Sequence, residues 1–367
     1  MIKALGYAAN HSFTRLKPLA FEREEAGQGE VEIDILYTGV CHSDVHQAEN
    51  DWGNSVYPCM PGHEIVGRVA KVGPGVTRHA IGDLVGVGCM IDSCQACEPC
   101  RSHEEQYCEG PNSWLATYNG PMKPKAQADT GENMYGRDNT YGGYSNAIVV
   151  REEFVLKIPA TLPIEAAAPI LCAGVTTYSP MKHWGVTAGS KVGIVGLGGL
   201  GDIAVKIARV MGAEVTVFTT SKDKVADIEA LGAKAVVEGD KEAYKALVSS
   251  FDLILSTVPE KHKVDPFVEL LKRNASMVVV GALVPMPGYN NQEMIMHRKS
   301  LAGSLIGSIV ETQEVLDLCA EHGIAPDVQV IPIQEINEAF KRVKAGEVRF
   351  RHVIDMASLK REMAEAA

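Results

Sequence analysis

No surplus of positive charge runs through this chain of 367 residues: the formal net charge is −11. Non-specific nucleic-acid binding needs a basic footprint, so that class is excluded. Long apolar runs are also missing, and no stretch approaches the roughly 18 residues of a membrane span. The first residues, Met1 to Asn10, lack the apolar region and small-residue cleavage site of a secretory leader, and a cytoplasmic setting is expected. Internal repeats and low-complexity tracts are absent. The nine cysteines are an odd number. In a reducing compartment they favour metal ligation over disulfides. What remains is 46% hydrophobic and 22% charged, ordinary for a globular protein. The length suggests about two domains.

The two halves differ in texture. Up to about residue 155, short β-branched runs are broken by Gly and Pro, as in Val31–Tyr37 and Ile65–Val72. This reads as antiparallel strands and turns with little helix. From near Leu162, apolar runs alternate with amphipathic segments. Strands are expected at Lys191–Val195, Glu214–Thr220, Phe251–Thr257 and Ser276–Gly281, and helices at Asp202–Met211 and Asp223–Leu231. Alternation of this length predicts a doubly wound parallel sheet. Arg349–Asp355 reads as a closing strand that rejoins the first domain, and the charged tail from Leu359 as a frayed helix.

Gly196-Leu197-Gly198-Gly199-Leu200-Gly201 fits G-x-G-x-x-G directly after one of these strands and before a helix. That context marks a dinucleotide site, in which glycine backbone and a helix N-terminus receive a pyrophosphate. A carboxylate for the ribose 2′-OH is missing at the end of the next strand. Thr219, Thr220, Ser221, Lys222 and Lys224 stand there instead. Hydroxyls and ammonium groups suit a 2′-phosphate, so NADP(H) is expected over NAD.

Cys94, Cys97, Cys100 and Cys108 form C-x2-C-x2-C-x7-C. Four thiolates at this density read as a closed, structural zinc site. Disulfides between such neighbours are geometrically awkward. An iron–sulfur run would bring its fourth cysteine sooner and follow it with Pro. Four unrelated buried thiols are hard to credit at this density. An open metal site cannot be read from spacing. Taken singly, Cys41, His63 and Cys172 each have a bland reading as buried thiol or turn histidine.

The motifs Gly39-Val-Cys-His-Ser-Asp-Val-His46, Pro61-Gly-His-Glu-Ile-Val-Gly67, the four-cysteine lobe, Tyr141-Gly-Gly-Tyr-Ser-Asn146, Leu171-Cys-Ala-Gly-Val-Thr-Thr-Tyr-Ser-Pro180 and Gly303-Ser-Leu-Ile-Gly-Ser308 occur in a fixed order. In combination the chain resembles the zinc-dependent medium-chain alcohol dehydrogenases, closest to their cinnamyl-alcohol-dehydrogenase-like, NADP(H)-linked branch. The resemblance covers nearly the whole chain. It implies an α/β protein with a GroES-like β-rich catalytic domain over 1–160, completed by 300–367 and carrying a zinc lobe at about 89–110. A doubly wound Rossmann domain is implied over 161–299. It implies two Zn2+ per chain and a homodimer formed through the nucleotide domains.

The resemblance also assigns roles. Cys41, His63 and Cys172 match catalytic zinc ligands, and Glu64 a carboxylate able to take the fourth position. Arg351 aligns with a partner for Glu64, and Asp44 with a carboxylate that orients His63. Ser43 and His46 match a proton relay that passes through the ribose hydroxyl. Thr176, Thr257, Gly281, Ser304 and Ile306 match positions near nicotinamide and ribose, and Trp52 and Trp114 would wall the substrate pocket. The implied reaction is reversible reduction of aldehydes to primary alcohols by NADPH, with zinc polarising the carbonyl oxygen. NAD-linked polyol or formaldehyde dehydrogenases, and a non-enzymatic zinc or redox sensor, are the rivals. One departure is Asp202, where the branch usually has His. It puts negative charge close to the pyrophosphate, which could weaken cofactor binding or change its geometry.

Overall fold

The computed structural model describes residues 1–110, 115–120, 139–347, 349 and 351–365. It divides into two compact units, Met1–Cys172 with Ser308–Ala367, and Ala173–Gly307. Both joints fall later than the boundaries at 160 and 300 expected from the sequence. At the second joint the reason is pairing: Ser300–Gly303 is a strand of the parallel sheet, in register with Ser276–Val279.

The first unit is built on a seven-stranded sheet. Its central strand, Glu30–Val40, pairs antiparallel with Ile65–Val72, with Ala147–Arg151 and with Arg351–Asp355. Alternation decides which side is buried. Val31, Ile33 and Ile35 are fully inside, while the intervening residues are partly exposed. Arg351–Asp355 also runs parallel to Val328–Pro332, so the chain end is stitched back into the first sheet. The tail forms the helix Ala357–Glu365, and it is anchored: Leu359 is fully buried and Glu362 accepts the Tyr7 hydroxyl at 2.9 Å. The β-rich reading overlooked, besides the short helix Glu98–Arg101, the helix His42–Glu49. Its amphipathic signal is weak, because Asp44 and Gln47 are buried among polar partners.

The second unit has six parallel strands in the order Lys234–Val237, Glu214–Thr219, Lys191–Val195, Phe251–Ser256, Leu271–Val279, Ser300–Gly303. Numbered along the chain this is 3-2-1-4-5-6, the dinucleotide-binding order. Phe218, Phe251 and Phe267 pack edge to face at the centre of its core, with ring centroids 5.3 and 5.7 Å apart. The helix after the glycine loop begins at Gly199, three residues before the expected Asp202, because the glycines themselves adopt helical backbone. The segment expected as one helix from Asp223 is a 3-10 turn, Lys222–Lys224, followed by a short helix, Val225–Ala230. The strands Lys234–Val237 and Ser300–Gly303 were not expected; at four residues each they carry too little periodicity to stand out.

Candidate metal centres and dinucleotide loop

Cys41 ends the central strand and caps the helix His42–Glu49. Asp44, in the first turn, accepts the Cys41 N–H at 2.8 Å, closing a capping box. His63 and Glu64 sit just ahead of the strand Ile65–Val72. Cys172 lies in a π-helical turn, Ile170–Gly174, which follows Pro169. Proline removes an N–H from the helix ladder, and single π turns of this kind recur at functional sites. These three segments bring Cys41, His63, Glu64 and Cys172 together, one donor atom from each lying within 4.8 Å of all the others.

All four are buried. The His63 Nε2 is 3.2 Å from the Cys172 Sγ. A tetrahedral zinc would hold N and S donors about 3.5 Å apart, so the donor set fits that ion with little movement. Asp44 Oδ1 lies 3.0 Å from His63 Nδ1, so the imidazole donates from Nδ1 and keeps Nε2 as the metal-facing lone pair. Burial disfavours protonation of His63, but the Asp44 charge beside it prevails and raises its pKa well above the ordinary value.

The two thiols act on each other. A hydrogen bond with Cys172 holds Cys41 well below the usual thiol range, against the effect of burial, and that same bond raises Cys172. Zinc requires both as thiolates, so binding would release any proton that either still carries. Glu64 forms a buried ion pair with Arg351 through Oε1, while its Oε2 has no hydrogen-bond partner. Burial pushes Glu64 up to about 7, against the pull of the arginine. An unpartnered buried carboxylate oxygen among two thiols and an imidazole is what a site built for a cation leaves behind.

The second cluster is the lobe. Cys94, Cys97, Cys100 and Cys108 also converge within 4.8 Å. Sulfur pairs lie 3.9 Å (Cys97–Cys108) and 4.0 Å (Cys94–Cys100) apart. The edge of a tetrahedron of four sulfurs around zinc is about 3.8 Å. Backbone N–H groups of Cys97, Gly110 and Cys94 point at the sulfurs from 3.3 Å. Donors aimed at sulfur stabilise thiolate charge, which fits a permanent metal. Cys94→Ser is expected to lower the zinc content by one per chain and Tm by more than about 5 °C, leaving initial aldehyde turnover near wild type. Metal analysis with a thermal melt checks this. An unchanged Tm would remove the structural role.

In the second unit two glycines of the loop are required by the backbone. Gly196 has φ +93°, and a Cβ at Gly201 would lie 2.2 Å from the Gly196 carbonyl oxygen. Gly198, by contrast, has open space where a Cβ would be. Thr257 Oγ1 donates to Val195 O at 2.9 Å, and a Cβ at Gly281 would meet Thr257 O at 2.5 Å, so neighbouring strand ends are drawn tightly together. Thr176 carries a buried hydroxyl with no partner. Ile306 adopts φ +38°, a costly conformation for a β-branched residue that tends to persist where function holds it. Ser304 N donates to Val279 O at 3.3 Å.

At the end of the second strand, Thr219 Oγ1 accepts the Ser221 N–H at 3.2 Å. Thr220 and Lys222 are exposed, and Leu200 is partly so. Lys224 is turned back, with Nζ 3.0 Å from Leu197 O, and braces the glycine loop. Asp202 does not present its charge to solvent at the loop. It is fully buried and pairs with Lys206 Nζ at 3.0 Å, one helical turn on. The expected repulsion is offset by that ammonium group.

Other expectations fare differently. Ser43 lies partly exposed in the first turn of the helix His42–Glu49. His46 Nδ1 is 2.7 Å from Asp51, and Trp52 stacks on His46 at 5.6 Å between centroids. Trp114 lies outside the described residues. Three residues with no assigned role join the first cluster. The Cys89 thiol adds to the push that Cys41 exerts on the Cys172 pKa, raising it. The Tyr118 ring lies 5.5 Å from that of His63, and the Tyr144 hydroxyl reaches Asp44 at 3.1 Å. Only Tyr144 stood in a motif singled out by sequence.

A cluster of two cysteines and one histidine with an adjacent carboxylate, a four-cysteine lobe and a 3-2-1-4-5-6 sheet define a zinc-dependent dehydrogenase. The chain belongs to the zinc-binding alcohol dehydrogenase family. Residues 27–160 match the alcohol dehydrogenase GroES-like domain and residues 199–321 the zinc-binding dehydrogenase domain. Aldehyde reductase YahK of Escherichia coli K12 is 47% identical over 98% of this chain and 99% of its own. Cinnamyl alcohol dehydrogenase SbCAD4 of Sorghum bicolor superposes with TM-score 0.88 at 39% identity, covering 97% of this chain and 98% of its own. The Helicobacter pylori cinnamyl alcohol dehydrogenase solved with NADP(H) gives 0.86 at 39%, covering 97% and 99%.

Proposed function

We infer that this enzyme interconverts aldehydes and primary alcohols with NADP(H), working chiefly as an NADPH-dependent aldehyde reductase over aromatic and aliphatic substrates. The observation that carries the reading is the buried Cys41–His63–Cys172 cluster with Glu64 held beside it by Arg351. Three protein donors leave one tetrahedral position for a substrate oxygen. When bound, zinc supplies Lewis acidity toward a carbonyl oxygen and NADPH supplies the hydride. The chain supplies the rest. Asp44 fixes the tautomer and aim of His63. Ser43, able to donate and accept at once, is the first proton donor, and His46 hands the proton on from solvent. Asp51 holds the His46 ring in place for that step.

NADP(H) preference rests on the absence of an acid at the second strand end and on the exposed Thr220 and Lys222. Ser221 and Lys222 are the proposed phosphate contacts; Lys224 contributes by holding the loop. Turnover should be faster with NADPH than with NADH, and Lys222→Ala should raise the KM for NADPH about tenfold while leaving that for NADH unchanged. Equal or better turnover with NADH would favour an NAD-linked polyol or formaldehyde dehydrogenase. No aldehyde reduction by zinc-loaded protein across a substrate panel would favour a zinc or redox sensor.

A homodimer through the second unit is proposed from its edge. Ser300–Gly303 ends the parallel sheet, and nearby Ile295 and Met296 are 74% and 70% exposed. Sedimentation velocity at micromolar concentration should give twice the chain mass; a monomer would refute it. Nine free cysteines accord with a cytoplasmic setting, and among the described residues no helix is long and apolar enough to cross a membrane.

A further inference from the structure

Asp44 is fully buried, and both its oxygens are used twice. Oδ1 accepts from His63 Nδ1 and from the Gly62 N–H, both at 3.0 Å. Oδ2 accepts from the Cys41 N–H at 2.8 Å and from the Tyr144 hydroxyl at 3.1 Å. One carboxylate thus ties the loop carrying His63 to the strand end carrying Cys41. Three of the four donors belong to those two segments. Tyr144 is the outsider.

Tyr144 also reaches the same loop through its backbone. Its N–H donates to Pro61 O at 3.0 Å, and the N–H groups of Gly142 and Gly143 donate to Met60 O and Gly62 O at 2.8 Å each. The paired glycines make this approach possible. A Cβ at Gly142 would lie 2.5 Å from the carbonyl oxygens of Pro61 and Gly62, and one at Gly143 would lie 2.4 Å from Ile65 Cγ1. Gly62 has φ +101°, and a Cβ there would strike the Tyr144 ring at 2.8 Å. The run Tyr141-Gly-Gly-Tyr144 therefore brings one phenol hard against the His63 loop.

We propose that Tyr144 is a positioning residue for the catalytic centre: its hydroxyl completes the hydrogen-bond set of Asp44 and so fixes the aim of His63 at the metal. This rests on the reading of Cys41, His63 and Cys172 as zinc ligands. Without the phenol, Oδ2 keeps a single donor, the Cys41 N–H, in a site closed to water. The carboxylate then gains freedom to rotate, and His63 loses a fixed acceptor. A buried group short of a donor moves or recruits another partner, and loss of such an outer support costs metal sites about 10- to 100-fold.

Four measurements on the holoenzyme test this. Wild-type zinc content comes first: fewer than two ions per chain would bring down the ligand reading itself. Tyr144→Phe should still carry two zinc ions, but release one to a chelator about 10-fold or more faster than wild type. Its cobalt-substituted form should show shifted d–d bands. Tyr7→Phe is the control: it also removes a phenol hydroxyl that donates to a carboxylate, that of Glu362, yet should leave release and spectrum unchanged. If wild type holds two zinc ions and Tyr144→Phe releases them within twofold of wild type with an unshifted cobalt spectrum, the proposal is overturned and the ligand reading stands. If Tyr144→Phe does not accumulate, 3-fluorotyrosine placed at 144 keeps the fold and makes the hydroxyl a stronger donor. Slower release is then expected, and unchanged or faster release overturns the proposal.

Discussion

Cys172→Ala is expected to cut the zinc content from two ions per chain to one and to lower aldehyde reduction by at least about 10^3-fold. The size follows from the chemistry the ion supplies. Polarising a carbonyl oxygen is worth several kcal/mol in the transition state, and each 1.36 kcal/mol is about tenfold in rate. Cys172 is the donor that the π turn delivers, and an alanine methyl could not replace its sulfur. Cys89, whose thiol also acts on Cys172, is a nearby thiol that could substitute. Double replacement of Cys89 and Cys172 therefore guards against rescue. Metal analysis and initial rates with NADPH decide the matter: a variant with one zinc ion and wild-type turnover would separate this cluster from the chemistry.

Arg351→Met should destabilise the first unit, by roughly 3–5 kcal/mol once pH is high enough to ionise Glu64, because it leaves a buried carboxylate with no cation beside it. The pH dependence has a definite sign. Burial already pushes Glu64 up to about 7, well above an unfolded glutamate. A carboxyl whose folded pKa is raised costs nothing when both states are protonated. The cost grows as pH rises above the unfolded pKa and is complete above the folded one. With the arginine gone the folded pKa rises further, so the loss in urea midpoint should be larger at pH 8 than at pH 5. Adding Glu64→Gln to Arg351→Met should restore much of the midpoint, since neither member of the pair is then left as an unmatched charge. Equal losses at both pH values, or no restoration, would mean that the pair does not carry this energy.

Some of this was legible in the chain. The lobe was, because its four ligands lie within fifteen residues and a zinc tetrahedron can be closed locally. The glycine loop was, because Gly196 and Gly201 meet requirements of backbone geometry that few other residues satisfy. Strands such as Lys191–Val195 and Ile65–Val72 were found to the residue, since each is a β-branched run that stops at a glycine. The helix His42–Glu49 was missed because two of its four buried residues, Asp44 and Gln47, are polar, with partners such as Asn54 and Ser55 for Gln47. Lys224 was assigned to a phosphate by its charge, but charge does not reveal direction, and its ammonium group braces Leu197 O. Asp202 was expected to repel the cofactor, and only its helical neighbour Lys206 showed that the charge is met inside.

By itself, then, the sequence determined the alternation that makes two kinds of sheet, the local metal lobe and the dinucleotide loop. Each depends on residues close together along the chain, whose geometry the backbone fixes at short range. The open metal centre was decided by tertiary structure alone. Its donors come from residues 41, 63, 64 and 172, and Arg351 comes from the far end. Asp44 and Tyr144, a hundred positions apart, are joined by one hydrogen bond. No spacing rule encodes such meetings. They follow from strand pairing and burial, which carry distant segments to one point and leave their polar groups no partners but each other.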